Sequence, residues 1–153
     1  MIGKVKESAN RVNILLVNWN IKLTEKEKDL QQTFQSLVDS GVIIVTSAGI
    51  AKEGDSSHVL SKTLFGQMEN VFIIGELAEK DRLMPASFYG PEMLTALRPS
   101  KELAGKDLSA ALFASRWAIN WKKRSTVEWV QRIKDKKSKS RKIWLDIEDF
   151  FPR

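Results

Sequence analysis

The sequence of 153 residues contains no cysteine and a single histidine, His58. Without cysteine the chain can form neither disulfide bonds nor thiolate metal sites, and it has no cysteine nucleophile. Any histidine-dependent catalysis within this chain must therefore use His58. The carboxylates nearest to it in the sequence, Glu53, Asp55 and Glu69, lack the spacing of a metal site, and no Gly-Lys-Ser/Thr phosphate-binding motif occurs. We therefore predict neither a metal nor a cofactor.

Long apolar segments are also absent from the sequence. No run reaches the roughly 18 apolar residues that a membrane-spanning helix requires, and the first ten residues, MIGKVKESAN, lack the apolar core of a signal peptide. The hydrophobic content of 42% and the charged content of 29% are typical of one folded globular domain. We therefore expect a cytoplasmic protein without a transmembrane segment.

Positive charge is concentrated in one segment, although the formal net charge of the whole chain is +6. Residues 1–121 contain fourteen basic and fourteen acidic side chains, whereas residues 122–142 contain ten basic and two acidic ones. The last eleven residues carry a net charge of −2. We therefore divide the chain into a neutral body, residues 1–121, and a basic helix with a C-terminal docking segment, residues 122–153, which is either part of the same domain or an appendage.

Apolar runs separated by amphipathic segments predict alternating strands and helices. Residues 12–17 and 42–46 are apolar almost throughout and rich in β-branched residues, which is typical of strands that are covered on both faces. Between them, Thr24 and Glu27 form a capping-box pattern that begins a helix, and Gly41 ends it. A strand, a helix and a strand at this spacing predict a right-handed parallel βαβ unit.

Two more strands are predicted at residues 71–75 and 93–97. Asp107 is expected to cap an apolar helix that continues to about Trp121. The sequence therefore predicts an α/β fold with a short, mainly parallel β-sheet flanked by helices.

A basic helix is predicted after a second capping-box pattern, Ser125 to Glu128. Its inner side is expected to contain Val127, Val130 and Ile133, with the lysines and arginines elsewhere. The closing segment IWLDIEDFFP is rich in aromatic residues, and we expect it to dock on the body.

Four segments together resemble the C-terminal half of the catalytic domain of subtilisin-like serine proteases (subtilases). The segment SGVIIVTSAGI is similar to the family's GVVVVAAAGN strand, and ENVFIIGEL is similar to its VIAVGA strand. The segments ASFYGPEMLTALRPS and DLSAALFAS are similar to the family's ASFSxxGPxLDxxAPG and GTSxAxP segments. The resemblance covers about residues 11–120, is best over residues 40–49 and 86–99, and implies a subtilisin-like half domain.

The resemblance implies that Ser109 occupies the position of the family's nucleophilic serine and that Ala111 occupies that of a small residue in the same motif. We expect Ser109 in the first turn of a buried helix, where the helix dipole favours developing negative charge. The family's Gly-Thr before the serine is Asp107-Leu108 here. The family's oxyanion-hole asparagine falls on Ile50, which cannot donate a hydrogen bond, and losing one such donor lowers rates about 100- to 1000-fold.

The catalytic Asp and His of subtilases precede the matched region, so the resemblance assigns neither of them to this chain. His58 falls in a loop of the family's substrate-binding region, and we expect it to be an exposed loop residue. Two interpretations follow. The chain is either a degenerate subtilase without catalytic activity, or one half of a split peptidase. In the split peptidase, a separate polypeptide supplies the Asp, the His and the missing strands, and Ser109 attacks a peptide carbonyl.

The basic segment indicates a different class of function. Residues 122–142, with Trp121, Trp129 and Trp144 nearby, have the composition of a surface that binds nucleic acid, an anionic membrane surface or an acidic protein partner. The same pattern also fits the solvated face of an ordinary amphipathic helix, with its tryptophans in the core. The second hypothesis is therefore a non-catalytic binding or scaffold module.

In a subtilase the parallel sheet continues past the strand that corresponds to residues 12–17. In this chain that strand is therefore expected to form an apolar sheet edge with unpaired backbone groups, which favours association with other chains. We expect a partner chain, a second copy or the chain's own termini to cover this edge.

Overall fold

The computed structural model describes residues 14–99, 108–121, 124 and 126–151. Its strands are β1 (Ile14–Val17), β2 (Ile43–Ser47), β3 (Val71–Glu76) and β4 (Met93–Leu97). Its helices are α1 (Lys28–Asp39), α2 (Ser109–Asn120), α3 (Thr126–Lys139) and α4 (Ile147–Phe150). Short 3-10 turns span Glu25–Glu27, Leu60–Lys62 and Glu79–Asp81.

The four strands form one parallel sheet in the order β1-β2-β3-β4. The predicted α/β fold with a short parallel sheet flanked by helices is confirmed. The strands predicted at residues 42–46, 71–75 and 93–97 each agree with an observed strand to within one residue. The strand predicted at residues 12–17 is observed from Ile14 onward, and residues 12 and 13 lie outside the described part of the chain.

The capping box that was predicted before α1 is formed. The Thr24 side chain accepts from the Lys26 amide, and the Glu27 carboxylate accepts from the Thr24 amide at 3.1 Å. The Thr24 hydroxyl also donates to the Glu27 carboxylate. This side-chain hydrogen bond, and after it the one from the Thr24 amide, lowers the pKa of Glu27 because both stabilise the charged form. At the other end, Gly41 has φ +91°, a left-handed conformation that glycine adopts without strain and that ends the helix.

Among the described strands β1 lies at an edge of the sheet, as predicted. The prediction that both of its faces are covered is wrong at Leu16, which remains 40% exposed. The alternating side chains of β1 face both layers, since Ile14 packs against the cluster below α2 and Leu15 packs against the cluster below α1. An apolar run does not show how far the helices on each face extend over a strand, so it does not predict that Leu16 is left partly exposed.

Apolar side chains form one cluster on each face of the sheet. On one face, Phe34 and Leu37 of α1 pack against β2 and β3. On the other face, α2 crosses β1, β2 and β3, and its side chains Phe113 and Trp117 are fully buried. Apolar side chains from both faces of each central strand therefore enter a core, as expected for a parallel sheet.

α3 packs with two of its three predicted inner residues, Val130 and Ile133, but not with Val127. Trp129 and Ile133 are buried and Val130 is partly buried, but Val127 is 78% exposed. Residues four apart lie on one side of a helix, so the large Trp129 side chain and Ile133 determine which side faces the core. The caps predicted at Asp107 and Ser125 lie outside the described residues.

The C-terminal segment packs into the same cluster as the strands. Phe150 and Phe151 are buried, and their ring centroids lie 5.4 and 5.2 Å from that of Phe113 in α2. The Thr95 hydroxyl in β4 donates to the Leu145 carbonyl at 2.8 Å. The predicted docking of this segment is therefore observed, while the division of the chain at residue 121 stays a prediction. None of the helices that the structure describes combines the length and apolar character needed to cross a membrane.

Candidate functional site

Ser109, the predicted nucleophile position, is the first residue of α2 and is 2% exposed. Its Oγ donates a hydrogen bond to the carbonyl oxygen of Leu97, the last residue of β4, at 3.0 Å. The hydroxyl proton therefore ties the beginning of α2 to the end of β4. In this arrangement the proton points to a backbone carbonyl, which cannot serve as a general base.

The amide that precedes Ser109 is bound by a carboxylate. Oε2 of Glu76, the last residue of β3, accepts from the Leu108 amide at 3.1 Å. Glu76 is only 4% exposed, so its carboxylate lies inside the protein next to the first turn of α2. The amides at a helix N-terminus and the helix dipole both stabilise a negative charge, which accounts for a buried carboxylate at this position.

Ile50, the predicted oxyanion position, follows β2 and has an exposed side chain. Its backbone forms an isolated antiparallel bridge with Ser87. The Ile50 side chain contains no hydrogen-bond donor, so it cannot donate a hydrogen bond to an oxyanion.

His58 lies in the loop between β2 and β3 and is half-buried rather than exposed. Its carbonyl accepts from the Tyr89 amide at 2.9 Å, and its ring lies edge-on to the Phe88 ring with 6.5 Å between centroids. In the part of the chain that the structure describes, no hydrogen bond joins His58 to Ser109. Histidines and carboxylates do not form a group of three suited to a metal ion among those residues.

A cleft of about 290 Å³ opens where β1 and β2 end. Its polar wall contains an ion pair between Lys22 Nζ and Asp55 Oδ1 at 3.4 Å, and Asp55 also accepts from the Lys52 amide. Ile50 lies on the apolar wall, which is formed by Ile21, Ile50 and Phe88. The carboxyl ends of parallel strands are a common position for ligands, and this cleft lies just beyond the carboxyl ends of β1 and β2.

Part of the positive charge of the basic segment is paired with carboxylates. Lys142 Nζ lies 3.0 Å from Asp149 Oδ2 and 3.7 Å from Asp146 Oδ2, and Lys139 pairs with Asp135 at 3.7 Å. The hydrogen bond between Lys142 and Asp149 raises the pKa of Lys142 and lowers that of Asp149. Burial lowers the pKa of Lys137.

The tryptophan closest to the middle of this segment is not available for stacking. Trp129 is buried, and its Nε1 donates to the Trp121 carbonyl at 3.3 Å. Arg124 lies over the Trp129 ring at 5.7 Å from its centroid. Binding of nucleic acid, an anionic surface or an acidic partner through residues 122–142 stays a prediction.

No protein-family model matches this sequence, and no curated protein matches it either. The chain is similar in structure to a cold adapted subtilisin-like serine proteinase, with a TM-score of 0.69 and 13% sequence identity. The match covers 88% of this chain but 53% of that proteinase, so the chain spans about half the length of the structure that it matches. The fold is subtilisin-like. At this identity the similarity establishes the fold alone.

The sequence predicted Ser109 and Ile50 as site residues of this subtilisin-like fold, but it did not predict Glu76. The signal for Glu76 was present, since a single carboxylate ends the otherwise apolar strand VFIIGE. A charged residue at the end of a buried parallel strand requires a partner, and the amides of a following helix are one. The particular pairing with Leu108 depends on how α2 crosses the sheet, which the sequence pattern does not specify.

Proposed function

We propose that this chain is a non-catalytic protein with a subtilisin-like fold. Ser109, at the predicted position of the serine nucleophile, attaches α2 to the sheet instead. The observation that carries this proposal is the environment of Ser109. Its hydroxyl donates to a backbone carbonyl, and a carboxylate binds the neighbouring amide.

A nucleophilic serine needs a base that accepts its proton during attack. The Ser109 proton points at the Leu97 carbonyl oxygen. This oxygen accepts a hydrogen bond but is not basic enough to remove the proton. The amide that precedes Ser109 is already bound by the Glu76 carboxylate. In this arrangement it is not available to stabilise an oxyanion during acyl transfer.

Ile50 gives independent support, because its side chain offers no donor at the predicted oxyanion position. Half of a split peptidase with Ser109 as nucleophile is the competing proposal. It would require the Ser109 hydroxyl to leave Leu97 when a second polypeptide binds.

A fluorophosphonate probe separates the two proposals. The full chain and its Ser109→Ala variant are incubated with the probe and analysed by intact mass, with an active subtilisin-like proteinase as the positive control. We expect no adduct on the full chain. An adduct that disappears in Ser109→Ala would overturn the proposal.

The split-peptidase proposal is tested by a second labelling experiment. The chain is mixed with any polypeptide encoded by a neighbouring reading frame that resembles the N-terminal half of a subtilase, and labelling is repeated. Labelling of Ser109 only in the mixture would establish a split peptidase and contradict the non-catalytic proposal. The Glu76→Gln variant, labelled in parallel, shows whether the carboxylate suppresses a reactive serine.

A further inference from the structure

The cleft of about 290 Å³ at the carboxyl ends of β1 and β2 has an apolar wall that backbone contacts hold in place. The Phe88 amide donates to the Gly49 carbonyl at 3.1 Å, and Ile50 forms an antiparallel bridge with Ser87. Phe88 is buried, whereas Ile50 is 53% exposed and Ile21, which also lines the cleft, is 37% exposed. Two of the three apolar side chains that line this cleft are therefore left partly uncovered by the fold.

The two walls of the cleft approach each other closely at Gly49, which has φ +78°. A Cβ atom at this position would lie 2.5 Å from the Asn20 carbonyl oxygen, so only glycine allows this approach. Asn20 is itself held, because its carboxamide donates to Thr63 Oγ1 at 3.0 Å, and Lys22 forms an antiparallel bridge with Thr63. The fold therefore positions the segment that carries Ile21 and Lys22, and the cleft is preformed, as most small-molecule sites are.

The polar wall contains two ammonium groups and two carboxylates. Asp55 accepts from the Lys22 ammonium and the Lys52 amide, and Glu27 accepts from the amide and the hydroxyl of Thr24. A lysine ammonium has three donors. Lys22 uses one of them, in a contact of 3.4 Å, and no group in the described part of the chain accepts from the Lys52 ammonium. Both carboxylates therefore have partners, while the ammonium groups keep unused donors.

We propose that this cleft binds a small monocarboxylate with an apolar body. The carboxylate accepts hydrogen bonds from the ammonium groups of Lys22 and Lys52. The apolar body covers the exposed parts of Ile21 and Ile50 and contacts Phe88. Ligand pockets commonly have volumes of about 300–1,000 Å³, so a cleft of about 290 Å³ accommodates a small molecule. The formal charges of the four ionised side chains cancel, so affinity comes from direct hydrogen bonds and apolar contact.

A carboxylate fits the polar wall better than an amide or an amine of the same shape does. An ammonium ion needs acceptors, but Asp55 and Glu27 already accept hydrogen bonds. A neutral amide keeps an acceptor oxygen but lacks the negative charge, so its hydrogen bonds to an ammonium group are weaker. Binding in this cleft does not require a reactive Ser109, so this inference stands or fails separately from the proposed function.

Calorimetric titration of the full chain with three small probes tests the proposal. Phenylacetate, phenylacetamide and phenethylamine present the same ring with an anionic, a neutral and a cationic end. We expect saturable binding of phenylacetate with a dissociation constant of about 1 mM or lower. The amide and the amine should bind at least about tenfold more weakly. No saturation by phenylacetate up to about 20 mM, or equal or tighter binding of either other probe, overturns the proposal.

Variants place the bound probe in the cleft. Lys22→Gln and Lys52→Gln should each raise the dissociation constant of phenylacetate about fivefold or more, because each removes an ammonium donor. Ile50→Asp, at an exposed position that tolerates a polar side chain, should abolish saturable binding, since it sets a carboxylate against the ligand. Lys80→Gln is the matched control, because Lys80 is exposed in the Glu79–Asp81 turn and does not line the cleft. If Lys80→Gln weakens binding as much as Lys22→Gln does, or if Ile50→Asp leaves it unchanged, phenylacetate binds elsewhere and the proposal is wrong.

Discussion

At the scale of single residues, Glu76 is the one charged side chain that is buried among the residues that the structure describes. Its carboxylate is buried at the N-terminus of α2 and accepts from the Leu108 amide. Ser109 forms the adjacent contact, from α2 to the Leu97 carbonyl. Two polar side chains therefore join α2 to the ends of β3 and β4, where a catalytic serine would need to be free.

Replacing Glu76 tests how much this carboxylate stabilises the fold. Glu76→Ala should lower the free energy of unfolding by about 1–3 kcal/mol, because it removes the acceptor of the partly buried Leu108 amide. Glu76→Gln keeps an acceptor oxygen and removes the charge, so its loss should be smaller. Urea unfolding measures both variants, with Glu79→Ala as a control because Glu79 is exposed. Equal stability of Glu76→Ala and the unmodified chain would show that the carboxylate is not structural.

The candidate site was only partly predictable at this scale. Ser109 was correctly expected in the first turn of a buried helix, because the apolar pattern after it indicates such a helix. Its partner Leu97 lies twelve residues earlier, and Glu76 lies thirty-two residues before Leu108, so both contacts depend on tertiary packing. A sequence pattern indicates that a buried charge needs a partner, but it does not identify the partner.

At the scale of secondary-structure elements, the sequence pattern correctly predicted those features that depend only on residues close together in the chain. Thr24 and Glu27 form their own capping box, and Gly41 adopts the left-handed conformation that ends α1. The exposure of Leu16 and the orientation of Val127 were not predictable in the same way. Both depend on which neighbouring element covers them, and an apolar residue can lie on an exposed face at little cost.

α4 is the element whose contribution is easiest to measure. Phe150 is fully buried against Phe113 of α2, so Phe150→Ala should lower the free energy of unfolding by about 3–5 kcal/mol. Ile143→Ala, at an exposed position a few residues earlier, should change it by less than about 0.5 kcal/mol. Urea unfolding followed by tryptophan fluorescence provides the comparison. A loss below about 1 kcal/mol for Phe150→Ala would mean that α4 does not contribute to the common core.

At the scale of the whole molecule, the C-terminal carboxylates compensate part of the basic segment. Asp146 and Asp149 lie within 4 Å of Lys142, and Arg132 donates to the Phe150 carbonyl at 3.4 Å. A charge count along the sequence separates residues 122–142 from the acidic end, whereas the fold brings the two together. Because the acidic C-terminal residues pack next to residues 122–142, the charge count of that segment alone overstates the positive charge of the folded surface.

The pH dependence of stability should report this compensation. The hydrogen bond from Lys142 holds the pKa of Asp149 below its ordinary value of 3.8. A carboxylate whose pKa is lower in the folded state contributes stability that is complete above the unfolded pKa and is lost as the pH falls through the folded one. Asp149→Asn keeps an acceptor for the Asp146 amide but removes the charge.

At pH 7 and low salt, Asp149→Asn should therefore unfold about 1–3 °C below the unmodified chain, a small effect because solvent reaches both side chains of the pair. The difference should shrink as the pH falls below 3.8, since Asp149 then becomes neutral in the unmodified chain as well. Glu53→Gln, in an exposed loop, should show no such convergence. Thermal unfolding by circular dichroism across this pH range measures the difference, and high salt should reduce it at neutral pH. If the difference in unfolding temperature between the two proteins stays constant from pH 7 to about pH 2, the charge of Asp149 is not the cause. Asp149 would then act through its hydrogen bond with the Asp146 amide at the beginning of α4.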